Sequence, residues 1–143
     1  MKLKSGLLFF LALITSACAT LAEKPRITIN ELMIQTVTPA TNILWGVEEP
    51  NSDAEWLALA NAAKKVRLAA IETGQGGDLS DGKNPSAEPE WQKLVDQMAT
   101  SATLAQEAIT KKDLDALIDA GNELYTSCEM CHQLYHPGVK ADS

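Results

Sequence analysis

From Thr28 onward, apolar residues recur at steps of three and four, and no stretch alternates with the period of two that a strand requires. The pattern predicts four amphipathic helices. The first opens on a capping box in which Thr28 and Glu31 each hydrogen-bond the other's backbone. It carries Ile29, Leu32, Met33, Thr36, Ala40, Ile43, Leu44 and Val47 on one stripe. Pro39 falls inside that stripe without a backbone N–H, so a kink or break is expected near Val37–Pro39. Glu48-Glu49-Pro50 closes the element.

A second capping box, Ser52 with Glu55, opens a helix that runs through about Glu72, with Gly74 placed to end it. Its expected inner stripe is Trp56, Leu59, Ala60, Ala63, Val66, the stem of Arg67, Ala70 and Ile71. Thr73 to Pro89 is rich in glycine and proline and predicts a long surface connection. The third helix is expected from near Ala87 to Lys111, with Pro89 in its first turn and Trp91, Leu94, Val95, Met98, Ala102, Ala105 and Ile109 inside. Asp113 can cap the fourth. Its stripe is Leu114, Leu117, Ile118, Gly121, Leu124, Tyr125, Cys128, Cys131, His132 and Tyr135, and Pro137-Gly138 ends it. Gly121 in mid-helix implies close packing at that point. Four such helices with mostly short connections predict an all-α, antiparallel four-helix bundle.

The first residues stand apart from this pattern. Lys2 and Lys4 precede an apolar run from Gly6 to Ile14, too short to span a bilayer, and small residues follow through Ala19. Residues 1–19 therefore read as an export signal, residues 20–27 as a tether, and residues 20–143 as one domain. Ile14-Thr15-Ser16-Ala17-Cys18 also resembles a bacterial lipobox, which would make 1–17 a lipoprotein signal and Cys18 a membrane tether. The alternative is an ordinary cleavage after Ala19 that discards Cys18. The expected location is periplasmic, with or without a lipid anchor.

The full chain has 12 basic and 19 acidic residues. Without Lys2 and Lys4 the net charge falls to about −9, which argues against nucleic acid and suits a basic partner protein.

The candidate chemistry lies at the end of the fourth helix. Cys128-Glu129-Met130-Cys131-His132 has the spacing of a c-type haem attachment motif. Two thiols three positions apart can add across the porphyrin vinyl groups, and the adjacent imidazole can ligate the iron. A CxxC disulfide or half of a zinc site would use the same residues, though zinc needs four ligands and only His136 and Glu129 lie nearby. One covalent haem c held by Cys128 and Cys131, with His132 on the metal, is the reading that spacing and histidine favour. The Thr73–Pro89 segment then either folds over a haem edge or serves as a plain surface connection.

A haem motif on the last helix of a four-helix bundle resembles the class II c-type cytochromes, of which the cytochromes c′ are the best-known group. Members continue the motif as CxxCHxx(F/Y)(R/K). Tyr135 matches the aromatic, and His136 stands where the basic residue is expected. Any charge there would depend on pH. The resemblance implies that the distal side of the iron decides function. Some members use a first-helix methionine as sixth ligand and carry electrons. Others leave that face open and bind small gases.

Here Met33 is the corresponding candidate, either as a metal ligand or as a core methionine beside the haem. Met98 is a weaker candidate, and Met130 sits too near the attachment to reach the far face. No Arg or Lys lies between Arg26 and Lys64, so the basic residue that members place near a propionate is missing or supplied by Arg26. Trp45, Trp56 and Trp91 are expected as core plugs or haem-wall packing.

The leading expectation is an exported monohaem electron carrier, with His132 as proximal ligand and Met33 as distal ligand. The alternative is a five-coordinate haem protein that binds NO or CO. An enzyme is not expected, because the first helix offers Glu31 and Gln35 but no distal histidine. Pairing of two copies through the first two helices is implied by the resemblance alone.

Overall fold

Thr28 and Ser52 start the first two helices, and both capping boxes form as their residue types dictate. Glu31 N–H donates to Thr28 Oγ1 at 3.2 Å while Thr28 N–H donates to Glu31 Oε2 at 2.8 Å. Glu55 N–H donates to Ser52 Oγ at 3.3 Å while Ser52 N–H donates to Glu55 Oε2 at 3.0 Å. The computed structural model describes residues 27–137, so the expected export segment, Cys18, the tether up to Arg26, and Gly138 lie outside it. Among the described residues there are four helices and no strand.

Helix α1 spans residues 29–45 in one piece. Ile29–Leu32 is α-helical, Met33–Val37 is a π-helical turn, and Thr38–Trp45 is α-helical again. The expected kink or break is therefore a widened turn. In an α-helix the ring of Pro39 would collide with the carbonyl four residues earlier. The wider turn, marked by the Thr38 N–H donating to the Met33 carbonyl, relieves that clash without ending the helix.

Helix α2 is Asp53–Gly74, α3 is Pro89–Lys111 and α4 is Leu114–Tyr135. Asp113 caps α4 through the Ala116 N–H at 3.0 Å. Lys112 takes the left-handed turn between α3 and α4 at φ 54°. Gly74 is the last residue of α2; the positive φ of +106° falls two positions later, at Gly76.

Contacts at the helix ends fix the topology. The start of α3 meets the end of α2, because Trp91 Nε1 donates to the Thr73 carbonyl at 3.2 Å. The end of α3 meets the start of α2 through Lys112 Nζ and Asp53 Oδ1 at 2.6 Å. The end of α4 meets the start of α3 through Tyr135 and Glu88. Neighbouring helices thus run antiparallel, with α2–α3 and α3–α4 the broadest seams. Contacts between α1 and α4 centre on the Thr38–Trp45 part of α1, while the π-helical turn packs on α2.

The core follows the sequence pattern on α3, where every residue of the expected stripe is buried. On α2 the buried face is rotated. Ile71 is 42% exposed, and Ala62, Ala69 and Thr73 are buried instead, because alanines let α1 and α3 approach from two sides. On α4, Ile118 and Tyr125 are exposed whereas Ala120 and Ser127 are buried. The face of α4 turns toward α3, its main neighbour. Ile43 on α1 is exposed as well. Among the described residues no helix is long and apolar enough to cross a membrane.

Residues 75–88 form a folded connection, not a loose one. Leu79 N–H donates to the Lys83 carbonyl at 2.8 Å, and Ile29 N–H donates to the Asp78 carbonyl at 3.2 Å. The segment is thereby seated at the start of α1. Gly76, Gly77 and Pro85 are buried.

Candidate haem-attachment site

The start of α1, the end of α2, the start of α3 and the end of α4 share one end of the bundle, and the Cys128–His132 motif belongs to it. Cys128 and Cys131 are free thiols, and both pack partly buried against the common core. Their spacing of three residues puts them on neighbouring positions of one helix face. Cys131 lies seven and eleven residues after Leu124 and Ala120, in line with two buried residues on the side toward α3. His132 lies seven and eleven residues after Tyr125 and Gly121. Those two meet Trp45, whose ring is edge-on to Tyr125 at 5.9 Å and whose Nε1 donates to the Gly121 carbonyl at 3.2 Å. His132 is therefore on the edge of α4 that faces α1.

The same hydrogen bond sets height. Met33 is twelve residues before Trp45, and Gln133 is twelve residues after Gly121 on the antiparallel helix. At about 1.5 Å per residue both lie about 18 Å from that bond. By this count Met33 and His132 fall at similar heights on the two helices. Met33 is partly buried against the core cluster that also receives the thiols. Met98 is buried on α3, and Met130 is on the outer side of α4 at 36% exposure.

Local electrostatics suit neutral ligating groups. Burial pushes the thiols of Cys128 and Cys131 up to about 11, the first opposed by a hydrogen bond with Ser127 and the second reinforced by Cys128. Burial, helped by the charge of His136, lowers the pKa of His132 and favours the neutral imidazole that can coordinate a metal. The two imidazole rings are 6.4 Å apart.

The donor set tests what the motif can hold. Among the described residues no group of three or more His, Cys, Asp and Glu side chains is placed to hold a metal ion. A zinc site lacks its third and fourth ligands here. Two free thiols on one face with an imidazole of lowered pKa beside them are the donor set that a haem joined by thioether bonds would use.

Three features around the motif had no clear signal in the sequence. Glu88 receives a hydrogen bond from Tyr135 Oη at 2.9 Å. Trp91, only 1% exposed, meets the Tyr135 ring edge-on at 4.8 Å. Trp91 is thus the core plug expected of it, whereas Trp45 is 42% exposed and works as a seam contact. Finally, a groove of about 830 Å³ between α3 and α4 is lined by Lys93, Asp96, Gln97, Glu123 and Met130. Neither thiol nor His132 borders that groove, so it belongs to the other face of α4. The comparisons add no relative to this description: no model of a known protein family matches the chain, and no curated protein matches it.

Proposed function

We propose that the chain is an exported monohaem c-type cytochrome of the class II kind, in which one haem c is joined to Cys128 and Cys131. The observation that carries the reading is the CxxCH motif as it lies in the fold, with two free thiols partly buried against the core on the last helix and, among the described residues, no group of three or more His, Cys, Asp and Glu placed to hold a metal ion. His132 is the proximal ligand, and its half-buried position lowers its pKa, which favours the neutral imidazole. Haem bound in this way supplies a one-electron couple at the iron.

Met33 is the proposed distal ligand, and electron transfer the proposed role. The support is geometric: His132 is on the α1-facing edge of α4, and counting helix rise from the Trp45–Gly121 bond brings Met33 on α1 to a similar height. A π-helical turn begins at Met33, and such turns often occur at functional positions. A thioether ligand would hold the coordination fixed, which suits a carrier more than a catalyst. The acidic chain favours a basic redox partner. Export through residues 1–19, with or without lipidation at Cys18, would place the protein in the periplasm.

Gas binding at a five-coordinate iron is the second reading. It is favoured by the thin α1–α4 seam at the motif end, which leaves α1 free of close packing on α4 there.

A pyridine haemochrome spectrum should show the c-type band, and its absence would remove the haem reading. The oxidised protein should be low-spin, with a weak long-wavelength methionine band that Met33→Ala abolishes and Met98→Ala retains. A high-spin wild type with rapid CO uptake would replace the carrier by the gas-binding protein.

A further inference from the structure

The last turn of α4 is tied to α3 by contacts that haem attachment does not itself require. Tyr135 Oη donates to Glu88 Oε2 at 2.9 Å, and the Tyr135 ring stands at 87° to that of Trp91 with centroids 4.8 Å apart. Trp91 is committed in turn, since its Nε1–H donates to the Thr73 carbonyl at 3.2 Å. The next residue, Gln92, donates to the carbonyls of Gly74 and Ser86 at 2.8 and 2.6 Å. The start of α3 is therefore bound to α2 and to the connecting segment before Tyr135 reaches it. Tyr135 rests on a stiff wall.

That wall matters because of what Tyr135 holds. It lies three residues after His132 and four after Cys131, in the final turn of the helix. Helix C-termini leave their last carbonyls unpaired and fray. Here the closing bond is His136 N–H to the His132 carbonyl at 2.9 Å. Among the described residues no hydrogen bond reaches the His132 ring itself. Its direction thus depends on how firmly the final turn is held, and Tyr135 is the side chain of that turn tied to another helix.

We propose that Tyr135, anchored by Glu88 and Trp91, is the positioning residue that sets how the His132 imidazole is presented to the iron. The proposal rests on the haem reading above and deepens it. Tyr135 touches no reacting atom; it acts through the backbone of the last turn. Loss of the hydroxyl leaves the ring against Trp91 but frees the turn to rotate, and loss of the Glu88 acceptor has the same effect from the other side.

The test uses the haem-carrying full chain as wild type, Tyr135→Phe, Glu88→Ala and the double variant. Haem-methyl proton shifts of the oxidised protein report the orientation of the axial imidazole plane. Both single variants should displace them to a common pattern, and the double variant should add nothing further. Amide exchange at residues 132–136 should rise about three- to tenfold in the same variants, while the interior of α3 stays protected. Haem-methyl shifts that stay in place in both single variants overturn the proposal, even if exchange rises, because the contact would then be merely structural. A wild type without a c-type haemochrome band removes the haem reading and this proposal together. A normal band with unmoved shifts removes the positioning role alone.

Discussion

Trp45 Nε1 donates to the Gly121 carbonyl at 3.2 Å, a direct hydrogen bond between α1 and α4. The Trp45 side chain crosses the thinnest seam of the bundle, with its ring edge-on to Tyr125. Trp45→Phe keeps most of the ring and removes the donor, so it should cost about 1 kcal/mol in urea unfolding. Gly121→Ala should act in the other direction. A Cβ on Gly121 would meet Trp45 Cδ1 at 3.5 Å, an ordinary contact, while helix propensity improves by about 1 kcal/mol. A lower midpoint for Gly121→Ala would mean that the indole cannot tolerate the methyl group.

The connection beneath α1 separates two kinds of glycine cost. Gly82 has φ +79° with open space around it, so Gly82→Ala should show backbone strain alone, about 1 kcal/mol. Gly76 combines φ +106° with Ser86 Oγ at 3.0 Å from a new Cβ, and Gly76→Ala should cost more, roughly 2–3 kcal/mol. At Gly77 a Cβ would fall 2.9 Å from the end of the Ile29 side chain, so its cost depends on whether Ile29 can turn away. Chemical denaturation of the three variants should rank Gly76→Ala well below Gly82→Ala; equal midpoints would contradict the strained, crowded turn.

Acid should weaken the fold through its helix starts. The Thr28 backbone and hydroxyl hold Glu31 below the ordinary carboxylate value of 4.5, and the backbone of Asn51 with Ser52 does the same for Glu55. Lys112 lowers Asp53 in the same way. A carboxylate with a lowered folded pKa contributes stability that is present above its unfolded pKa and lost as pH falls through the folded one. Stability should therefore drop from about pH 5 downward. Glu31→Gln with Glu55→Gln should flatten that slope, and an unchanged slope in thermal melts at pH 3 to 6 would count against the capping boxes.

The thiols offer a chemical check on the buried face of α4. Cys128 and Cys131 are pushed up to about 11, and the thiolate is the reactive form. In the folded, haem-free polypeptide at pH 8, alkylation by iodoacetamide should run on the order of a hundredfold slower than for a free cysteine. Denaturant should restore the rate. Full-rate labelling of the folded chain would place the thiols in solvent.

Much of this arrangement follows from local chemistry and is therefore visible in the residues themselves. Two capping boxes, the Asp113 cap and the α3 stripe depend on neighbours within one or two turns, and each forms as its spacing requires. The CxxCH motif is legible for the same reason, since its chemistry needs nothing more distant than one helical turn. Other features depend on partners far away in the chain. Pro39 disturbs any α-helix, but only the folded chain shows the answer, a π-helical turn packed on α2 and not a break. Periodicity identifies an apolar stripe yet leaves its angle uncertain, and only the dominance of the α3–α4 seam turned Ala120 and Ser127 inward and Ile118 outward.

The sequence by itself determined four helices, the caps at Thr28, Ser52 and Asp113, and the CxxCH spacing of Cys128, Cys131 and His132. The tertiary structure alone decided that Trp45 meets Gly121 and that Tyr135 is braced on Glu88 and Trp91. Such contacts join residues far apart in the chain, as Trp45 and Gly121 are, and no local pattern encodes them.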